Sequence, residues 1–210
     1  MNNSSIIYSS DQGLLLGFHG CDQSIRDKII NGQIMMKASH NNYDWLGSGM
    51  YFWQNNHARA MDFAKNPPGK SKIESPSVLG AVFSLGNCLD LTDKSYIDRV
   101  RKSYFSLKAT FSETNTPLPK NRPVPGSPNP NDKILRGLDC SVIEALHLNL
   151  IKKGDIPFDT VRCVFIEGNP IYEDSGFYDQ THIQVCVRNP NCIKGFFLPR
   201  NEDPEWSKAA

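Results

Sequence analysis

The order of apolar segments along this chain constrains its fold more than any other feature. Short apolar runs typical of strands occur near both ends, and helical patterns stand between them without regular strand–helix–strand alternation. A doubly wound parallel sheet requires that alternation, so the pattern favours an α+β fold with about six or seven strands and about four helices. The predicted strands cover residues 14–20, 49–53, 77–85, 160–166, 181–188 and 192–198.

The predicted helices are bounded by capping residues and carry apolar stripes. Asp22 caps the first helix, and Asn55 or Asn56 caps the second. The third covers residues 92–108 and the fourth covers residues 139–153. The apolar stripe expected to be buried in the third helix consists of Ile97, Val100, Tyr104 and Leu107.

The chain has 210 residues, a length that suits one domain better than two. Residues 117–130 contain six prolines, which exclude a helix or a central strand there. We therefore expect a single domain over residues 1–210 that carries a proline-rich surface loop at 117–130.

Charge is distributed unevenly although the formal net charge is only +1. Residues 65–136 contain twelve Lys or Arg and six Asp or Glu, an excess of six positive charges. A basic region in a neutral chain is suited to a polyanionic partner. An ordinary solvated helix and loop explain the same charges.

The cysteines and the hydropathy pattern indicate a cytoplasmic protein. No pair among the six cysteines has the C-x2-C spacing of a zinc site, so we expect buried free thiols and no metal. No apolar run approaches the ~18 residues needed to cross a membrane. Residues 1–12 are polar and lack the pattern of a secretory signal.

Three segments carry polar or aromatic residues that a buried core alone does not require, although each has an ordinary structural explanation when taken singly. The first is Phe18-His19-Gly20, at the end of a predicted strand. The second is residues 43–53, which read Tyr-Asp-Trp-Leu-Gly-Ser-Gly-Met-Tyr-Phe-Trp. The third is the predicted strand at 181–188, where His182 and Gln184 share a face because strand side chains alternate.

The order and spacing of these segments resemble the ADP-ribosyltransferases of the diphtheria-toxin and poly(ADP-ribose) polymerase class, which carry a His, a Tyr and a third residue, usually Glu. Residues 46–52 are similar to the Gly-x-Gly-x-Tyr-Phe motif of that class, and Tyr51 follows His19 by 32 residues. The resemblance is clearest over residues 14–66 and weaker over 160–198. It implies split antiparallel β-sheets with flanking helices, and NAD as the substrate held in the cleft.

The resemblance also implies roles for single residues. His19 would hydrogen-bond a ribose hydroxyl, the Gly20 backbone would pair with the carboxamide, and Tyr51 would stack on the nicotinamide ring. A second stacking aromatic is expected, for which Phe63 is the candidate and Tyr43 the alternative. The implied NAD contacts are therefore His19, Gly20, Ser39, Gly49, Tyr51 and Phe63.

The third residue departs from the family pattern, because no Glu lies between Glu173 and Glu202. Gln184 is the candidate for this catalytic position, with His182 and Gln180 as the next choices. A neutral amide can orient a ribose hydroxyl but adds no negative charge. Because chain elongation in this class requires the acid, the resemblance implies transfer of a single ADP-ribose instead of polymer growth.

The resemblance assigns choice of acceptor to the loop before the late strand, which is residues 168–180. The acceptor-loop residues are Tyr172, Glu173, Phe177 and Gln180. Glu173 or Asp174 can deprotonate an acceptor group, and the aromatics can stack on a nucleobase. The expected acceptor is a protein or a nucleic acid such as RNA.

Together these features predict a mono-ADP-ribosyltransferase that cleaves NAD. By analogy, a small cytoplasmic form is similar to toxins or phage-defence effectors that an antitoxin protein holds inactive. Two alternatives stay open. The first is a catalytically silent module that binds NAD or ADP-ribose, and the second is an NAD glycohydrolase with water as the acceptor.

Overall fold

A seven-stranded sheet, a two-stranded sheet and four helices make up the described part of this computed structural model, residues 13–67, 73–125 and 133–205. The predicted α+β class is confirmed. The large sheet contains β1 (Leu14–Asp22), β2 (Met50–Gln54), β3 (Pro76–Ser84), β4 (Cys88–Asp90), β7 (Thr160–Phe165), β8 (His182–Val187) and β9 (Ile193–Phe197), and the small one contains β5 (Asn121–Arg122) and β6 (Leu135–Arg136). The helices are α1 (Gln23–Ile30), α2 (His57–Lys65), α3 (Lys94–Glu113) and α4 (Gly137–Lys153). The segment examined for a secretory signal, residues 1–12, and residues 126–130 of the proline-rich loop lie outside the described residues.

Helix caps follow the sequence prediction, but the buried stripe of α3 follows it only in part: Val100, Tyr104 and Leu107 are half-buried, and Ile97 is not. The Asp22 carboxylate accepts the Ser24 N–H at 3.0 Å, and the Asn56 side chain caps α2. In α3, the expected burial of Ile97 is wrong, because its side chain is 41% exposed. Ser103 is buried instead, and its hydroxyl donates to the Val142 carbonyl of α4 at 3.1 Å. The side of α3 that packs against α4 is therefore rotated away from Ile97.

The large sheet is almost divided between β1 and β2. Its strand order is β4-β7-β8-β2-β1-β3-β9, with antiparallel neighbours except for the parallel pair β4 and β7. β1 pairs with β3 over its full length, but it pairs with β2 only at Gly17–Gln54 and Phe18–Trp53. The two strands therefore separate at His19, and we call this separation the β1–β2 split.

The two faces of the large sheet are covered by different helices. Trp53 pairs with Gln184, and Tyr51 pairs with Cys186, so all four side chains share one face. α2 and α4 cover that face, which we call the α2/α4 face, through clusters that include Ala60 and Ile143, Leu146 and Leu150. α1 covers the opposite face through Ile29, which packs with Cys21 and Leu79.

All six cysteines are free thiols, and five of them are buried while Cys163 is half-buried. None of the described helices combines the length and the apolar composition needed to cross a lipid bilayer. Within the described ranges, no group of three or more His, Cys, Asp or Glu is arranged to hold a metal ion.

Candidate functional site

His19 lies where β1 separates from β2. The backbone pairing of the two strands ends at Phe18–Trp53, and the His19 ring makes the next contact between them. The imidazole Nδ1 is 2.9 Å from the Tyr51 carbonyl oxygen, so Nδ1–H donates and Nε2 is left as an acceptor. Burial lowers the pKa of His19, although the bond to the carbonyl acts in the opposite direction. His19 is therefore neutral at pH 7 and links the two strands across the β1–β2 split.

The side chains of His19 and Tyr51 point to opposite faces of the sheet. His19 pairs with Leu79 and shares the α1 face, whereas the Tyr51 ring packs on the α2/α4 face against a cluster that includes Leu46. The Tyr51 hydroxyl donates to the Gly47 carbonyl at 2.7 Å and accepts the Leu46 N–H at 3.0 Å. Burial raises the pKa of Tyr51, so the phenol keeps its proton and holds this loop.

The loop at residues 47–49 is held by an ion pair that sequence reasoning missed. Arg188 and Glu144 form two hydrogen bonds, of 2.8 and 3.2 Å. The Glu144 carboxylate also accepts the Ser48 N–H at 2.6 Å, and Arg188 donates to the Ser48 carbonyl at 3.0 Å. Burial raises the pKa of Glu144, but the bonds from Arg188 and Ser48 outweigh it, and the net pKa is lowered. The sequence offered one sign of this ion pair. Glu144 directly follows the apolar Ile143 in the fourth predicted helix, so part of its side chain could be expected to be buried.

The two glycines of this loop are required by its packing. Gly47 has a φ of +81°, a left-handed conformation that favours glycine. A Cβ on Gly49 would lie 2.5 Å from the Cys186 sulfur. The backbones of Gly49 and Ser39 exchange two hydrogen bonds, of 2.8 and 3.0 Å, and the Ser39 hydroxyl donates to Asp44. Ser39, Gly49 and Tyr51 therefore meet in one loop assembly.

Removing the Arg188 side chain is expected to lower the free energy of unfolding by about 2 kcal/mol, because Glu144 would keep a half-buried charge without its partner. Lys94→Ala provides the control, since Lys94 pairs with Asp98 while its own side chain is 85% exposed. An exposed pair of this kind contributes roughly 0.5 kcal/mol or less. Urea unfolding of both variants measures the difference, and equal losses would contradict the structural role given to the Arg188 pair.

Five aromatic rings form a continuous row across the α2/α4 face, which we call the aromatic strip. Gln184 lies within it, and the Gln184 Oε1 accepts the Trp45 Nε1–H at 2.5 Å. Phe63 was expected to be the second stacking residue, and its ring packs against the ring of Trp53. The strip runs Phe63–Trp53–His182–Phe165–Trp45, with centroid separations of 5.0, 5.9, 5.2 and 4.7 Å. Sequence reasoning gave Trp53 no role, although Trp53 follows Tyr51 by two residues and therefore shares its face.

Three buried polar atoms beside the aromatic strip have no hydrogen-bond partner among the described residues: Trp53 Nε1, Arg59 Nε and His182 Nε2. His182 Nδ1 donates to the Gln180 carbonyl at 2.8 Å, which makes Nε2 an acceptor. The Arg59 guanidinium reaches Glu167 at 3.1 Å through another nitrogen. Two donors and one acceptor are thus available to a polar group, and buried atoms of this kind are normally paired.

Acidification is expected to destabilise the protein through His182. Burial lowers the pKa of His182 from 6.5 to about 4, so the unfolded chain binds a proton that the folded chain excludes. Stability is therefore complete above pH 6.5 and falls as the pH decreases, by on the order of 2 kcal/mol between pH 7.5 and 5. His182→Gln should therefore reduce this loss relative to wild type. Identical pH profiles for wild type and His182→Gln would contradict this expectation.

The predicted acceptor loop is exposed. Tyr172 and Phe177 are 59% and 67% exposed, and Glu173 is also exposed. Gln180 joins the loop to the aromatic strip, because its N–H donates to the Glu167 carbonyl and its own carbonyl accepts from His182. The loop therefore ends beside His182 and presents its aromatic rings to solvent.

Comparison of the chain with protein-family models, curated proteins and solved structures finds no match.

Proposed function

We propose that this protein is an ADP-ribosyltransferase that cleaves NAD and transfers one ADP-ribose to a macromolecular acceptor. The observation that carries the proposal is the β1–β2 split, where His19 bonds the Tyr51 carbonyl at 2.9 Å. The split separates the His-Gly strand from the strand of the Gly-x-Gly-x-Tyr-Phe motif, and β8 with Gln184 pairs directly with the latter. We further propose that this is the split-sheet fold of the ADP-ribosyltransferases.

In the proposed reaction, the nicotinamide–ribose bond breaks and nicotinamide leaves with the bonding electron pair. The sugar then has oxocarbenium character, as in glycoside cleavage. His19 Nε2 accepts from a ribose hydroxyl at the β1–β2 split. The Tyr51 ring packs on the opposite face of the sheet, so its part in the proposal is to hold Leu46 and Gly47 through its hydroxyl. The unpartnered atoms of Trp53, Arg59 and His182 supply additional polar contacts on the α2/α4 face.

Gln184 is proposed to orient a ribose hydroxyl near the reacting carbon. An acceptor oxygen or nitrogen then forms the new bond to that carbon and loses its proton to a base, for which exposed Glu173 is the candidate. Because the Gln184 amide is neutral, single transfer is favoured over chain growth. Cytoplasmic action as a toxin or defence effector, held by an antitoxin, is part of the same proposal and rests on analogy.

A silent NAD-binding or ADP-ribose-binding module is the second candidate, and one observation favours it. The Gln184 Oε1 already accepts from Trp45, and no carboxylate lies on β8. A site organised in this way can bind a sugar hydroxyl without stabilising a developing positive charge.

The proposal is tested by incubating the protein with NAD labelled in its adenylate phosphate and a cell lysate, and by measuring nicotinamide release. Label retained in macromolecules and removed by either protease or nuclease supports transfer and identifies the acceptor class. Release of nicotinamide with free ADP-ribose as the only labelled product indicates a glycohydrolase. NAD binding without nicotinamide release indicates the silent module.

A further inference from the structure

Two cavities flank the start of α4. Cations from the basic region at residues 65–136 line both of them. The first, of about 350 Å³, is lined by Tyr43, Lys120 and Arg122 among others. The second, of about 340 Å³, includes Arg101, Tyr104 and Arg136 in its lining. Gly137 lines the first and Leu138 the second, so the two cavities lie on adjacent sides of one helix end.

The N-terminal amides of α4 are not themselves the site. The Asn121 side-chain oxygen accepts the N–H groups of Leu138 and Asp139, at 3.0 and 3.3 Å. Those donors are therefore already capped from the proline-rich loop, and a ligand would be held by the side chains that line the cavities.

The charge around the cavities is positive. Lys120, Arg122 and Arg101 are exposed, and Arg136 is half-buried. Two carboxylates oppose them, since Asp98 contacts Arg101 at 3.0 Å and Asp139 lies 3.6 Å from Arg136. Three further cations of α3 are exposed. They are Arg99, Lys102 and Lys108. This excess of cations over two acids favours a ligand that carries several negative charges.

Aromatic rings stand beside these cations, which distinguishes a nucleic acid from an acidic polypeptide. Tyr43 is 38% exposed in the first cavity, and Tyr104 and Trp45 line the second. The Arg136 guanidinium already stacks over Phe165 and Trp45, at 4.3 and 5.2 Å from the ring centroids. Bases of a single strand stack on such faces while cations contact the phosphates, whereas an acidic peptide uses only the cations.

We propose that single-stranded nucleic acid binds across the two cavities, with phosphates at Lys120, Arg122 and Arg101 and bases against Tyr43 and Tyr104. A strand in the second cavity would lie near Gln184, because Trp45 lines that cavity and the Trp45 indole donates to the Gln184 amide. We therefore infer that RNA or another single-stranded nucleic acid is the acceptor of the proposed transfer. Its relation to ADP-ribose transfer rests on the proposed function, but the binding does not require NAD.

The test is fluorescence anisotropy with a fluorescein-labelled single-stranded RNA of mixed sequence, about 20 nucleotides long to exceed the site sizes of single-strand binding folds. Wild-type affinity should fall steeply as salt rises, by about 0.7 in the log–log slope for each phosphate contact. The variant Lys120→Ala/Arg122→Ala/Arg101→Ala should bind at least tenfold more weakly, with a slope shallower by roughly 2. Tyr43→Leu/Tyr104→Leu should weaken binding without changing the slope.

The matched control is Lys152→Ala/Lys153→Ala/Lys194→Ala, which removes the same charge from exposed positions away from the cavities. Equal weakening by the two triple variants would overturn the proposal, as would a wild-type affinity insensitive to salt. Displacement of the RNA by poly-glutamate at equal charge concentration would also overturn it, in favour of an acidic protein.

The same measurements separate this proposal from the proposed function. If RNA binding is intact but NAD is not cleaved, the proposed function fails and the RNA-binding proposal stands. If NAD is cleaved but RNA is not bound, this surface fails and the acceptor is a protein.

Discussion

Gln184→Ala is expected to reduce NAD cleavage by about 100-fold, which corresponds to loss of one hydrogen bond that strengthens in the transition state. The measurement is nicotinamide release at saturating NAD. Gln33→Ala is the matched control, because Gln33 is exposed beyond the end of α1 and far along the chain from β8. His182→Ala discriminates between the two candidates on the strand. An inactive His182 variant beside an active Gln184 variant would move the third catalytic position by two residues.

Loss of activity in Gln184→Ala must be separated from loss of structure, because Gln184 is buried and accepts from Trp45. An indole N–H left without its partner costs about 1–3 kcal/mol of stability. Urea unfolding of the same variant measures this cost, and the assay is valid while the protein stays folded. Gln184→Glu keeps an acceptor for Trp45 and adds a negative charge. If the neutral amide limits the rate, Gln184→Glu should increase NAD cleavage. An unchanged rate would contradict the idea that the amide is rate-limiting.

Gly20→Ala is expected to lower the free energy of unfolding by about 3 kcal/mol, at the upper end of the cost of overpacking. A Cβ on Gly20 would lie 2.1 Å from the Ala60 carbonyl oxygen and 3.1 Å from the Ala64 nitrogen, both in the backbone of α2. Because these atoms belong to a helix, relief requires displacement of α2 from the sheet. NAD cleavage should fall as well, since α2 carries Arg59 and Phe63.

The control for Gly20→Ala is Gly195→Ala in β9, where a Cβ would meet no atom within 4 Å. That variant should unfold within about 0.5 kcal/mol of wild type, as exposed substitutions usually do. Chemical denaturation followed by tryptophan fluorescence gives both values. A Gly20 variant as stable as the Gly195 variant would show that α2 does not pack tightly on β1.

Local features of the chain were predictable because their causes lie within a few residues. Asp22 and Asn56 cap the helices that follow them. The shared face of His182 and Gln184 follows from alternation along one strand. The stripe in α3 failed at Ile97 because the position of α4, and not the spacing within α3, decides which side is buried.

The sequence by itself determined the α+β class, the four helices, six of the strands and the short segments that carry His19, Tyr51 and Gln184. It did not predict the short strands β4, β5 and β6. The tertiary structure alone decided that the side chains of His19 and Tyr51 lie on opposite faces of the sheet. It also paired Trp45 with Gln184 across 139 residues and Glu144 with Arg188 across 44. The physical reason is that such contacts depend on which strands become neighbours and where they separate, and neither propensity nor periodicity carries that information.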